Sequence, residues 1–361
     1  MNGSPDLETA RLLFDGQRLA QGRQFRGLLK GELATAVGVT PAAIGQFESE
    51  VARPSAVTLS KLALALGVPV PFFAKGRPMF PLREEDAHFR SLRSTSKRDR
   101  SQARAQVERL AEVVAAIEVR VNLPPVALPE IPIGTSPEET ARLVRNDWAL
   151  GVGPIADVVG ILERKGIIVA RLPAATDEVD AFSCWIGARP FVILASNKGQ
   201  ADRSRFDAAH ELAHILLHAD AGPGDPAVER EANHFAAEFL VPAATILQEL
   251  PRRVDWRALL TLKIRWRVAI SMLLLRARDL AVISDAAYRR AMMEMSRRGW
   301  RRSEPGSLGD PEQPELLGRA MALVASRRQF TIDDLSAELA LGSEGLSPYE
   351  HLLRPIERLA V

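Results

Sequence analysis

Cysteine is almost absent from this 361-residue chain, which contains Cys184 alone. A single cysteine excludes an intramolecular disulfide, a cysteine-based zinc finger and an iron–sulfur cluster held by this chain. The composition fits a reducing compartment, and we expect a cytoplasmic protein. The longest apolar run near the middle of the chain, residues 268–275, is too short to span a bilayer. The first residues lack the basic start and apolar core of a signal peptide, so we expect no membrane association.

The chain also carries almost no excess of positive over negative charge, since its net charge is only +2. A surface for nucleic acid must therefore arise from local clustering of basic residues. Residues 90–109 form such a cluster, with seven basic and two acidic side chains and a net charge of +5. This run is either a supplementary DNA contact or simply the solvated face of a helix, and the sequence leaves both possibilities open.

The pattern of helices and strands indicates a mainly α fold with a small β-sheet. Four prolines in residues 122–132 exclude a helix there and indicate a stiff linker. A capping box at Ser136 and Glu139 begins the next helix. The segments IIVARLPA, FSCWIG and PFVILAS read as strands, the last two forming a small antiparallel sheet. Helices then dominate, and residues 299–315 are predicted to be an exposed, turn-rich segment.

Residues 30–50 read KGELATAVGVTPAAIGQFESE and have the spacing of two short helices. The first helix carries an apolar face and ends at Gly38. Thr40 is a suitable N-cap for the second helix, in which Ile44 and Phe47 face inward. The segment therefore predicts a helix, a short turn and a second helix, within a five-helix domain.

The second helix of this pair would enter the DNA major groove by its N-terminal end. Gln46 can read adenine through two hydrogen bonds, whereas basic side chains and first-turn backbone amides meet phosphates. The candidate DNA contacts are Thr40, Ala42, Ala43, Gln46, Arg53 and Lys61.

The pattern ELA…GVT…I…E…RPS…L..LA..LGVP…FF, over roughly residues 25–73, resembles the phage-repressor-like (XRE-type) helix-turn-helix family. The resemblance implies binding to double-stranded DNA, and we expect a homodimer. The sequence departs from the family at the positions most used for base contacts, since Pro41 and Ala42 offer little hydrogen bonding. A domain of the same fold used only for dimerisation or protein contacts is the open alternative.

Residues 210–218 read HELAHILLH. His210 and His214, one helical turn apart, lie on the same face and are close enough to share one metal ion. Glu211 can take a proton from a water activated by the ion and later pass it to the leaving amine. His218 lies about 12 Å from His210 along a straight helix, so it cannot bind the same ion. We interpret His218 as a packing residue or as support for a ligand.

A third protein ligand should come from the next predicted helix, because a catalytic zinc usually has three protein ligands and one open position. Residues 226–242 carry an apolar stripe, and Glu229 lies closer to its centre than Glu231 does. Glu229 is therefore the preferred third ligand, with Glu231 and His234 as alternatives. Asn233 is a candidate for holding a ligand in place.

The segment RFDAAHELAHILLH…EREANHFAAEFLVP resembles the ImmA/IrrE metallopeptidase family. The resemblance implies a zincin-like domain that holds Zn²⁺ through His210, His214 and Glu229, with Glu211 as the catalytic base. Peptidases of that family cleave phage-type or stress-response repressors, so a repressor-type protein substrate is implied. The segments WRVAISMLLLRARDL and GWRRSEP resemble longer members, in which the peptidase follows a helix-turn-helix in one chain.

Together these observations predict four regions of the chain. They are a helix-turn-helix DNA-binding domain (1–76), a charged helix with a proline-rich linker (77–132), a zincin-like metallopeptidase domain (133–255) and a helical C-terminal domain for dimerisation or sensing (256–361).

Three functions are consistent with this organisation. The first is a transcription regulator that carries a zinc metallopeptidase-like domain. The second is a dedicated repressor-cleaving protease that docks through its helix-turn-helix, and the third is a ligand-responsive regulator whose zinc domain is a non-catalytic sensor. Zinc binding is better supported than proteolysis, because nothing in the sequence selects a group to stabilise the oxyanion among His218, His234 and Arg205. Asn197 is a candidate for lining the cleft.

Overall fold

The computed structural model describes residues 7–82, 96–172, 181–196, 200–218, 225–328 and 330–354. The chain divides into two compact units. Unit 1 comprises Met1–Leu123, Leu172–Val179 and Glu315–Val361, and unit 2 comprises Pro124–Arg171 and Asp180–Pro314. The domain boundaries predicted from the sequence stay predictions, because compactness alone does not establish which parts fold independently.

The described residues are mainly helical, with one small sheet, as predicted. The helices are α1 (Leu7–Leu12), α2 (Gly16–Phe25), α3 (Lys30–Val37), α4 (Pro41–Glu48), α5 (Ala56–Leu66), α6 (Lys97–Glu118), α7 (Pro137–Asp147), α8 (Val158–Arg164), α9 (Ala201–Leu217), α10 (Pro226–Leu240), α11 (Ala243–Glu249), α12 (Trp256–Trp266), α13 (Ile270–Asp279), α14 (Asp285–Arg297), α15 (Leu316–Arg328), α16 (Ile332–Leu339), α17 (Gly342–Leu346) and α18 (Glu350–Leu353). The strands are β1 (Ile168–Leu172), β2 (Ala181–Ile186) and β3 (Arg189–Ala195). Among the described helices, none has both the length and the apolar character needed to cross a membrane.

Helices α3 and α4 of unit 1 form the predicted helix-turn-helix. Gly38 ends α3 with a φ of 76°, a left-handed conformation that glycine adopts without steric cost. The Thr40 side chain caps α4 by accepting a hydrogen bond from the Ala43 backbone N–H at 3.1 Å. Ile44 and Phe47 of α4 are buried, as the apolar periodicity predicts.

A buried ion pair joins α6 to α2 in unit 1. The guanidinium of Arg18 lies 2.5 Å from the carboxylate of Glu112, and each side chain is only 1% exposed. Gln21 donates a second hydrogen bond to Glu112 at 2.8 Å, and Arg18 donates to the carbonyl of Pro78 at 2.7 Å. These partners satisfy both charges, and removing one member of such a pair costs about 3–5 kcal/mol. The long helix α6 is therefore fixed to the helix that precedes the helix-turn-helix.

The last helices of the chain, α15 to α18, also pack in unit 1. The Tyr349 hydroxyl is buried and donates a hydrogen bond to the Gln106 carbonyl of α6 at 2.6 Å. At the end of α6, Arg120 forms an ion pair with Glu338 of α16. Residues 315–354 thus contribute to the same compact unit as the helix-turn-helix, although unit 2 lies between them in sequence.

The sheet of unit 2 has the strand order β1-β3-β2. Strands β2 and β3 form an antiparallel pair, with Ala181 opposite Leu194, as predicted. The sheet as a whole is mixed rather than antiparallel, because β1 lies on the other side of β3 and runs parallel to it. Strand β2 runs back along the outer edge, so β3 can return beside β1 in the same direction without a helical crossover.

Helix α9 lies between the sheet and α10, and α10 also packs against α7. Ala208 and Leu212 of α9 are buried in this core. Phe235 and Phe239 of α10 stack with ring centroids 5.6 Å apart. Ala232 and other small residues at the α9–α10 contact allow the two helices to approach closely. This packing brings the polar face of α9 opposite residues from the first turns of α10.

The segment 299–315 is turn-rich, as predicted, but two of its carboxylates are buried rather than exposed. Glu304 accepts a hydrogen bond from the backbone N–H of Ile270 at 2.6 Å, at the start of α13. Glu312 accepts one from Val158 at 2.8 Å, at the start of α8. The first N–H groups of a helix have no partner within it and favour a negative charge, which explains why these glutamates turn inward.

Candidate functional site

Helices α9 and α10 bring together the three residues predicted as metal ligands. The ligand atoms of His210, His214 and Glu229 all lie within 4.8 Å of one another. The Nε2 atoms of His210 and His214 are 3.0 Å apart. The Glu229 carboxylate lies 3.2 Å from the His210 Nε2 and 3.6 Å from the His214 Nε2. We call this group the candidate metal centre.

The orientation of the His210 ring is set by Asn233, one turn after Glu229 on α10. The Oδ1 atom of Asn233 lies 3.1 Å from the Nδ1 of His210. An amide oxygen only accepts hydrogen bonds, so the Nδ1 of His210 carries the proton. The Nε2 of His210 therefore presents its lone pair to the candidate metal centre, as a metal ligand must.

Two successive contacts set the orientation of the His214 ring. The Nδ1 atoms of His214 and His218 are 3.1 Å apart, and the Nε2 of His218 lies 3.0 Å from the Glu231 carboxylate. A carboxylate accepts from the His218 Nε2–H, which leaves the His218 Nδ1 to accept from the His214 Nδ1–H. The Nε2 lone pair of His214 then faces the candidate metal centre. His218 and Glu231 thus lie behind a predicted ligand and do not replace one.

The candidate metal centre fits a zinc ion. Two imidazole Nε2 atoms 3.0 Å apart need a proton or a metal cation between them, and a carboxylate adjoins both rings. Nitrogen and oxygen ligands at about 2.0–2.1 Å from a tetrahedral Zn²⁺ stand roughly 3.3 Å from one another. The observed separations of 3.0, 3.2 and 3.6 Å surround that value.

Glu211, the predicted catalytic base, is buried on the side of α9 that meets the sheet. The Ser183 hydroxyl of β2 donates a hydrogen bond to its carboxylate at 2.7 Å. Burial raises the pKa of Glu211 to about 8; the Ser183 hydrogen bond opposes this shift and the charge of Asp207 adds to it. Nothing in the sequence singles out Ser183, because its contact with α9 depends on how the sheet packs against that helix.

The other groups considered from the sequence are engaged elsewhere. His234 is exposed and lies 2.7 Å from the Glu138 carboxylate on α7, so it is not part of the candidate metal centre. Arg205 is buried and pairs with Glu312. Asn197 lies outside the described residues.

Replacing His218 with alanine is expected to weaken Zn²⁺ binding by roughly 10–100-fold, because the partner that orients the His214 ring is lost. A competitive titration against a chromophoric chelator measures the affinity. His234→Ala is the matched control, since it removes a histidine of the same domain that bonds to Glu138 instead. Equal affinities of His218→Ala and the unmodified chain would show that His218 only fills space.

The predicted DNA contacts lie on one stretch of unit 1. Thr40, Ala42 and Gln46 are exposed and Ala43 is half-buried on or beside α4, whereas Arg53 and Lys61 are exposed after it and on α5. The guanidinium of Arg53 donates a hydrogen bond to the Leu12 carbonyl at 2.9 Å, which holds this side chain near the end of α1. Lys61 is therefore the better probe of a phosphate contact.

In the described part of the basic run, residues 96–109, the basic side chains do not all lie on the surface. Arg109 is buried, with its guanidinium carbon 3.5 Å from the centre of the Phe25 ring, and so cannot contact DNA. Lys97, at the start of α6, is exposed. Arg90 and Arg93 lie outside the described residues.

Lys61→Ala is expected to weaken binding to all duplex DNA sequences similarly and to reduce the slope of log K against log salt by about 1. Gln46→Ala should instead relax sequence preference. Fluorescence anisotropy with duplexes at several salt concentrations measures both effects. Lys75→Ala is the control, because that lysine pairs with Glu50 in the same unit. Unchanged affinity and salt slope for both Lys61→Ala and Gln46→Ala would exclude this face from DNA binding.

Comparison with protein-family models matches two parts of the chain. Residues 162–278 match the IrrE N-terminal-like domain of the M78 peptidase family, and residues 19–73 match a helix-turn-helix domain. The chain therefore carries an XRE-type helix-turn-helix domain together with an IrrE-like peptidase domain, which confirms both predicted resemblances. The candidate metal centre lies inside the second match. No curated protein matches the chain.

Proposed function

We propose that the chain is a DNA-binding transcription regulator whose IrrE-like domain is a zinc metalloendopeptidase that cleaves a repressor-type protein. The observation that carries the proposal is the convergence of His210, His214 and Glu229 within the matched peptidase domain. The helix-turn-helix match at 19–73 supports DNA binding. The homodimer and the cytoplasmic location predicted from the sequence stay predictions.

The ligands proposed for Zn²⁺ are His210, His214 and Glu229. When bound, the ion would polarise the scissile carbonyl and make a nearby water more acidic. The Glu211 carboxylate would accept a proton from the attacking water. It would then deliver this proton to the amide nitrogen as the C–N bond breaks.

The neighbouring side chains would position these groups. Ser183 holds the carboxylate of Glu211 by the hydrogen bond at 2.7 Å. Asn233 and His218 keep the two imidazoles in the tautomer that presents Nε2. Such supporting contacts orient ligands and raise their basicity, which supports the assignment of this face of α9 to metal binding.

Two groups that could stabilise the oxyanion are engaged elsewhere, which favours a second candidate function, a regulator whose zinc domain senses a ligand without cleaving protein. His234 lies 2.7 Å from the Glu138 carboxylate, and Arg205 pairs with Glu312. A zincin-like site without such a group depends on the ion alone to stabilise the tetrahedral intermediate of peptide hydrolysis.

The two functions are separated by assays on the purified full-length chain. Elemental analysis should find one Zn²⁺ per chain, and intact-mass spectrometry should find discrete fragments of helix-turn-helix repressor proteins incubated with it. A chelator and Glu211→Gln should each stop the cleavage. A chain without zinc would contradict both candidate functions, whereas zinc without cleavage, together with normal regulation by Glu211→Gln, would favour the sensor.

A further inference from the structure

The end of unit 2 carries a strong excess of positive charge. Residues 252–302 contain fourteen basic and four acidic side chains, a net charge of +10, so the rest of the chain carries −8. Thirteen of the fourteen basic residues are arginines, and ten of these arginines are exposed. The helix-turn-helix match at 19–73 has a net charge of only +2. The positive excess of the chain therefore lies outside the helix-turn-helix.

A pair of tryptophans draws many of these arginines together. Trp256 begins α12 and packs edge-to-face on Trp300, which follows α14, with ring centres 5.4 Å apart. This contact places the start of α12 beside the end of α14. The exposed arginines within four residues of either tryptophan are Arg252, Arg253, Arg257, Arg297, Arg298, Arg301 and Arg302. We call these seven residues the basic patch.

The tryptophan rings hold an arginine of the basic patch. The guanidinium carbon of Arg298 lies 5.4 Å from the ring centre of Trp256 and 4.8 Å from that of Trp300. A cation at this distance is attracted to the face of an aromatic ring. Proteins that bind single strands stack the bases on aromatic side chains. Rings already engaged with each other and with Arg298 suit that use poorly, and they serve instead to fix a guanidinium group.

The acidic side chains beside the basic patch leave most of its charge available. Glu294 accepts hydrogen bonds from Arg297 and Arg298, each at 2.7 Å. Asp255 is the N-cap of α12 and accepts from backbone N–H groups. Arg253, Arg257, Arg301 and Arg302 form no ion pair with another residue in the described part of the chain. These four exposed guanidinium groups can therefore bind an external anion.

Contacts with α9 fix the backbone that carries two of these arginines. Arg203 donates a hydrogen bond to the Arg301 carbonyl, and Gln200 donates one to the Arg302 carbonyl. The turn after α14 is thus held in place without using the side chains of Arg301 and Arg302. A surface fixed in this way loses less conformational entropy when it binds a partner.

We propose that the basic patch binds the phosphate backbone of duplex DNA without reading its sequence. Arginine is suited to phosphate because its planar guanidinium donates two parallel hydrogen bonds. Duplex DNA is the partner that fits a chain with a helix-turn-helix domain, since two sites in one chain that bind the same molecule strengthen each other. The inference goes beyond the proposed function, which assigns only the peptidase to unit 2.

Fluorescence anisotropy on the full-length chain tests the proposal. The probes are a labelled duplex of arbitrary sequence, one of its single strands and labelled polyglutamate, each at several salt concentrations. The double variant Arg301→Gln/Arg302→Gln should raise the Kd for the duplex by roughly tenfold or more at low salt. It should reduce the slope of log K against log salt by about 2, one for each lost phosphate contact.

A second double variant tests the other side of the tryptophan pair. Arg253→Gln/Arg257→Gln alters α12 and the residues before it, and it should weaken duplex binding to a similar extent. The matched control is Arg142→Gln/Arg164→Gln, which neutralises two exposed arginines of unit 2 outside the basic patch and should leave the Kd unchanged. Thermal unfolding and zinc content should be the same in all these variants.

The remaining outcomes would overturn the proposal. One is an unchanged Kd and salt slope in both patch variants, and if Lys61→Ala weakened duplex binding in the same assay, the helix-turn-helix would remain the DNA-binding surface. Another is tighter binding of the single strand than of the duplex, lost in the patch variants. A third is polyglutamate binding that the patch variants lose while they keep duplex binding, which would assign the basic patch to an acidic protein.

Discussion

Glu229→Ala is expected to lower the affinity of the chain for Zn²⁺ by roughly 100- to 1,000-fold. The residue supplies the negative charge of the candidate metal centre, and its carboxylate lies 3.2 Å from the His210 Nε2. Zinc sites with four protein ligands bind with about 10–16 kcal/mol, so each ligand contributes on the order of 3 kcal/mol. Chelator competition on the purified chain, followed by elemental analysis after dialysis, measures the loss.

Glu231→Ala is the matched control for this prediction. Glu231 lies two residues further along α10, with its side chain 52% exposed, and contacts His218 rather than the ligand atoms. Its loss should weaken zinc binding by no more than about tenfold, as expected for a group that supports a ligand. A larger loss for Glu231→Ala than for Glu229→Ala would assign the third ligand to Glu231.

Glu211→Gln is expected to reduce protein cleavage by about 10²–10⁴-fold while zinc content stays at one ion per chain. Glutamine has nearly the same shape as glutamate, and its amide oxygen can still accept the hydrogen bond from Ser183. It cannot take a proton from water. Initial rates with a fluorogenic or repressor-type substrate, measured on zinc-loaded protein, give the effect.

Two further variants serve as controls for the Glu211→Gln result. Ser183→Ala removes the hydroxyl that holds Glu211 and should lower cleavage by a smaller factor, with zinc retained. His234→Ala, which alters a histidine bonded to Glu138, should leave cleavage unchanged. If Glu211→Gln cleaved protein at the rate of the unmodified chain, Glu211 would not be the base.

The features that could be predicted from the sequence are those that local spacing determines. His210 and His214 are one turn apart in a single helix, so their proximity follows from helix geometry alone. The apolar stripe of α10 predicts Glu229 rather than Glu231 as the third ligand. The structure places Glu229 with the two histidines and Glu231 behind them. The turn between α3 and α4 is also determined locally, because Gly38 ends α3 and Thr40 caps the start of α4.

The features that could not be predicted depend on contacts between distant segments. Ser183 reaches Glu211 only because β2 packs against α9. Met292 and Tyr288 line a pocket beside His210 although they lie far along the chain. The mixed sheet and the buried carboxylate of Glu312 likewise depend on how distant segments pack together. Periodicity indicates which face of an element is buried but not which distant element covers it.

The central claim is that His210, His214 and Glu229 hold a zinc ion. Anomalous diffraction on crystals of the zinc-loaded chain, recorded above and below the zinc absorption edge, tests it most directly. The expected result is a single strong peak about 2.0–2.1 Å from the Nε2 atoms of both histidines and from a Glu229 carboxylate oxygen. A peak bound instead by His218 or Glu231, or no zinc peak between α9 and α10, would contradict it.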